Sequence, residues 1–185
     1  MSHSLNEFQA LVKKAVHGAG LEWGVASEVA RAAKLQAQQG EYPVQSLLEC
    51  LQFHHQHGAQ AGAPAALSDV WCGAQGVLSP LITGLCLCDC ARALPSHMEG
   101  VMYPELLSGF VALVNAQRSQ PLDLDIQDGV VSLTQAGART VGCNTRIHLA
   151  PPELQALEQW AHRTYAPATE ASRAAGAGSG LSDND

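Results

Sequence analysis

The densest concentration of reactive side chains in this sequence is three thiols at alternating positions, Cys86, Cys88 and Cys90. In an extended loop they could hold a soft metal. Their surroundings read as a helix, however, where Cys86 and Cys90 share a face and Cys88 points away. That is poor geometry for three thiolates, and buried cysteine acting as a small hydrophobe is the simpler account. Cys50, His54 and His57 form a second group, with His55 alongside, at helical spacings of four and three. A rise of about 1.5 Å per residue puts Cys50 and His57 about 10 Å apart along the axis, too far to share one ion. One neighbouring pair could give two ligands, and a catalytic zinc would need a third, for which His148 is the candidate. A polar helix end, its histidines favoured by the negative pole of the dipole, explains the same residues. The expectation is no metal and no other cofactor.

Arg146 and His148 alternate with Ile147 and Leu149, so the two polar residues share one strand face. A histidine beside an arginine can act as general base with an anion-holding partner. An ordinary exposed sheet face leaves the same pattern. Further on, Glu170, Ser172 and Arg173 precede Gly176, Gly178 and Gly180, and Ser182, Asp183, Asn184 and Asp185 follow. Glycines admit backbone amides close to an anion, and clustered carboxylates suit a hard cation. The glycine spacing is no dinucleotide fingerprint, since no strand leads in and no helix follows. The sequence holds no nucleophile elbow, phosphate loop, or metalloprotease or zinc-finger spacing.

The elements that must position these groups follow from periodicity. Ser4 and Glu7 make a capping box, followed at helical spacing by Leu5, Phe8, Leu11, Val12 and Ala15. Gly18 and Gly20 end that helix. An alanine-rich helix runs from about Gly24 to Gln39 and closes at Gly40. Pro43 opens a third, carrying Leu47, Leu48 and Leu51 and stopping at Gly58. Ser79-Pro80 starts another, with Leu81, Ile82 and Leu85 on one face, and Pro104 opens one bearing Leu106, Leu107, Phe110, Val111 and Val114. The period then changes to two. Leu122, Leu124 and Ile126 alternate with polar residues, Asp128-Gly129 signals a hairpin, and Val131 and Leu133 resume the pattern. A strand over Thr145 to Leu149 and a helix from Pro151-Pro152 with Leu154, Leu157 and Trp160 complete the order. The expected fold is α+β: N-terminal helices, an antiparallel β-meander and a C-terminal helix, with helices on one face of the sheet.

Length and composition set the frame. The chain has 185 residues, 46% hydrophobic and 15% charged, with a formal net charge of −7. A chain this long buries about 70% of its unfolded surface without disulfides or metal. One domain over residues 1–165 is expected, with a Gly/Ala/Ser-rich arm over 166–185 that is either docked or disordered. Ten basic residues are spread with no cluster, so nucleic acid is not an expected partner. No apolar run is long enough to cross a bilayer, and Met1 to Glu7 carries no export signal. The six cysteines are therefore read as reduced thiols of a soluble, cytoplasmic protein. Low surface charge suits a homo-oligomer or a protein partner.

Ser4-Leu5-Asn6-Glu7 through Gly18-Ala19-Gly20, Trp23-Gly24 and Glu28 resemble an uncharacterised bacterial family of small proteins, catalogued as a domain of unknown function. So does Thr164-Tyr165-Ala166-Pro167-Ala168-Thr169-Glu170-Ala171-Ser172-Arg173, running on to the Gly-rich Asp183-Asn184-Asp185 end, the most specific part of the likeness. Ser79-Pro80-Leu81-Ile82-Thr83-Gly84 and Asp89 resemble it too, and Pro104-Glu105-Leu106-Leu107 does so more weakly. The likeness spans the chain nearly end to end. Ser79 departs from it, standing where cysteine is expected before the proline. If that thiol is chemically active in relatives, this chain lacks the activity. The resemblance brings no substrate, cofactor or catalytic residue; it implies that the arm is a motif and not filler.

Two functions fit these residues. The favoured one is a non-catalytic binding or accessory protein that uses its C-terminal arm. The alternative is a small enzyme whose arm folds over the sheet, so that Arg173, Asp183 and Asp185 meet Arg146 and His148 around a small polar substrate.

Overall fold

The first helix begins where its capping box puts it. Helix α1 spans Leu5–Gly18; Ser4 Oγ accepts the Glu7 N–H at 3.2 Å, and the Glu7 carboxylate accepts the Ser4 N–H at 2.7 Å. The Ser4 backbone and hydroxyl bonds hold the Glu7 carboxyl below its ordinary range. The computed structural model describes residues 1–40, 42–90, 93–137 and 143–164.

Helix α2 (Trp23–Gln39) buries Ala26, Ala30, Ala33 and Ala37, small residues that let neighbouring helices come close. Helix α3 (Val44–His57) ends at Gly58, as expected, and helix α6 (Pro151–His162) starts on its proline pair. Between them lies the larger core, in which Phe8, Val12, Leu47, Leu51, Leu157 and Trp160 are buried together. Phe8 meets Tyr42 edge-on at 5.2 Å between ring centres.

A second, smaller core lies against the sheet. Strands β2 (Val70–Trp71), β3 (His97–Glu99), β4 (Leu122–Gln127) and β5 (Val130–Gln135) form a four-stranded sheet in the order β2-β3-β5-β4. β5 is antiparallel to both β3 and β4, whereas β2 runs parallel to β3. The Asp128-Gly129 turn has φ of 51° and 80°, the two left-handed residues of a type I′ hairpin. Helix α4 (Pro80–Asp89) and helix α5 (Leu107–Asn115) cover one face. Leu87, Leu107 and Val114 pack there on Trp71, Met98 and Val131. A 3₁₀ turn, Pro104–Leu106, leads into α5 in place of a continuous helix from Pro104. At Gly109 a Cβ would run into the Ala32 carbonyl oxygen, so α5 lies against α2 with no side chain between them.

The fold is α+β in the expected order, with helices on one face of the sheet. The strand at 145–149 is present as β6 (Arg146–His148), but it leaves the meander. It pairs antiparallel with β1 (Ser2–Ser4) in a separate ribbon, with Ile147 and Leu149 buried in the helical core. β1, β2 and β3 are too short to show a period-two pattern, so the sequence carries no sign of a strand there. The arm, 166–185, lies outside the described residues.

Candidate functional site

Two places bring polar groups together inside the protein. The first is at the C-terminal end of α3. His54 continues the buried stripe of Leu47, Cys50 and Leu51 and is only 1% exposed. A carbonyl can only accept, so the 3.2 Å contact of His54 Nδ1 with the Gly58 oxygen fixes the proton on Nδ1. Nε2 is then the acceptor for the Ser79 hydroxyl, 2.7 Å away. Ser79 is wholly buried before the first turn of α4, and its N–H donates to the Gly62 carbonyl at 2.8 Å. Because Oγ is committed to His54, no side chain caps α4. Burial lowers the His54 pKa below its ordinary value, and the Gly58 bond only partly opposes this. A cavity of about 640 Å³, bounded by Phe53, His57, Gly62 and Val77, lies beside the pair, but neither His54 nor Ser79 lines it.

The second place is a groove of about 470 Å³ between α2, α5 and β4. Helix α5 contributes Val111, Ala112 and Asn115, and β4 contributes Leu122, Leu124 and Ile126. Gln36, 8% exposed, forms part of the wall. Its Nε2 donates to the Glu105 carbonyl at 3.0 Å, which identifies the other amide atom as oxygen. That Oε1 is buried and has no hydrogen-bond partner among the described residues. Glu105 and Asp123 also line the groove, and among the described residues no lysine, arginine or histidine does. Glu105 Oε1 accepts the Ser46 hydroxyl at 2.6 Å, which holds this wall to α3.

The residues singled out by sequence are not gathered at either place. Arg146 is exposed on β6, and its guanidinium donates to Ser2 Oγ at 2.7 Å and to the Ser2 carbonyl at 2.9 Å. It fastens the N-terminal strand. His148 is exposed opposite Ser2 in the same ribbon. Arg173, Asp183 and Asp185 lie outside the described residues. Cys50 is buried, and desolvation pushes its thiol well above the ordinary range, with Glu105 and Glu49 adding to the effect. His57 is exposed and packs against Phe53 at 4.9 Å. Cys50, His54 and His57 therefore do not converge, and no group of three metal-ligating side chains occurs among the described residues. Cys88 is pushed up to about 11, chiefly by burial, and burial also raises Cys86; both are thiols, not thiolates, at neutral pH. All six cysteines are free.

Gln36 and the His54–Ser79 pair were missed as sites. Gln36 was legible as a polar residue inside an alanine stripe, and His54 as a histidine continuing a leucine stripe. Their partners lie too far along the chain for spacing to reveal.

A family model described as Protein of unknown function (DUF3726) matches residues 3–56. The DUF3726 segment takes in α1, α2 and nearly all of α3, and so includes Gln36 and His54 but not Ser79, α5 or β4. No curated protein matches the chain, and no solved structure does. No helix among the described residues is long and apolar enough to cross a membrane.

Proposed function

We propose that this protein is a non-catalytic binding or accessory protein whose contact site is the groove between α2, α5 and β4. The unpartnered Gln36 Oε1 carries the reading. A buried carbonyl oxygen with no donor loses about 1–3 kcal/mol of hydration, and a molecule that brings an N–H to it recovers that loss. The remaining wall describes the same ligand. Val111, Leu124 and Ile126 suit an apolar body, and the Glu105 carboxylate favours a positive one. The buried Ser79 hydroxyl, which does not line the cavity beside it, gives the enzyme alternative less support.

The resemblance supports adding a bacterial setting and an arm over 166–185 that acts as a motif, and the free thiols support a cytoplasmic one, with the arm and a homo-oligomer or protein partner as further parts of the proposal. The test is titration of isotope-labelled protein with n-hexylamine, with n-hexanoate as the opposite-charge control. Expected are shifts of the Gln36 side-chain amide and of the Val111 and Leu124 backbone amides with the amine alone, lost in Gln36→Met. Shifts elsewhere, or shifts that survive Gln36→Met unchanged, would overturn the reading.

A further inference from the structure

We draw no further inference here: the strongest candidate, the cavity of about 640 Å³ between the C-terminal end of α3 and the loops around Gly62 and Val77, is walled largely by small residues, neither His54 nor Ser79 lines it, and nothing in the structure shows what fills it.

Discussion

His54 and Gln36 are both polar side chains at core positions of helices, and they differ in how completely their neighbours satisfy them. Both His54 nitrogens have partners, Gly58 and Ser79, within 3.2 Å. One amide atom of Gln36 has a partner and the other has none among the described residues. A satisfied buried pair fixes structure and leaves nothing for a ligand to gain. A half-satisfied buried group in the wall of a groove costs stability in the free protein and rewards a neighbour that supplies the missing donor. The difference separates a structural clasp from the proposed contact site, even though His54 and Ser79 are the residues whose types suggest catalysis.

The comparison breaks most visibly at His54. His54→Leu orphans the Ser79 hydroxyl and leaves the Gly58 carbonyl with only the Ala61 N–H at 3.2 Å, and we expect a loss of about 2–4 kcal/mol in urea unfolding. Ser79→Ala leaves one imidazole nitrogen without a donor and should cost about 1–3 kcal/mol. If the pair is a clasp, the double variant loses less than the sum of the two, by about 1 kcal/mol or more. Additive losses would mean that the 2.7 Å contact contributes nothing of its own.

His54 also has a pH signature that Gln36 cannot have. Burial holds its folded-state pKa below the ordinary 6.5, so as pH falls through 6.5 the unfolded chain takes up a proton that the folded chain refuses. The clasp's contribution is therefore fully present above 6.5 and declines as pH drops from there towards the folded pKa. Unfolding curves at pH 7.5 and 5.5 should show a larger acid loss in the parent than in His54→Leu. Parallel losses would show that the ring is not desolvated.

At Gln36 the sign of the comparison reverses. Gln36→Met frees the Glu105 carbonyl but removes the buried orphan oxygen, and the two effects oppose each other. We expect stability within about 1 kcal/mol of the parent, together with loss of groove binding. A drop as large as that of His54→Leu would mean that Gln36 is a structural residue too.

Element types and most boundaries were legible in the sequence because each carries a local cause: the Ser4–Glu7 box, the prolines at 80 and 151, the glycines at 40 and 58, and the Asp128-Gly129 turn. The pairing of β6 with β1 was not, since it joins Ser2 to His148 across nearly the whole chain and no local pattern encodes that. The candidate site failed for the same reason. Gln36, Glu105, Asn115 and Leu122 meet only through the packing of α2 on α5 and of α5 beside β4. Reactive residue type pointed instead to Arg146, Cys50 and His57, whose chemistry is absorbed by Ser2, by burial and by Phe53.

Arg146 gives the smallest effect and the sharpest check on that last point. Its guanidinium makes two bonds to Ser2, but both groups are exposed, so water competes for each bond. Arg146→Ala should cost about 0.5 kcal/mol, seen as faster amide exchange at Ser2 and Ser4 and little change in global unfolding. It should leave n-hexylamine binding unaltered, because β6 belongs to the separate ribbon and contributes nothing to the groove. If removing Arg146 abolishes binding while the groove variants do not, the contact surface is the exposed face of β6, where Arg146 and His148 stand together.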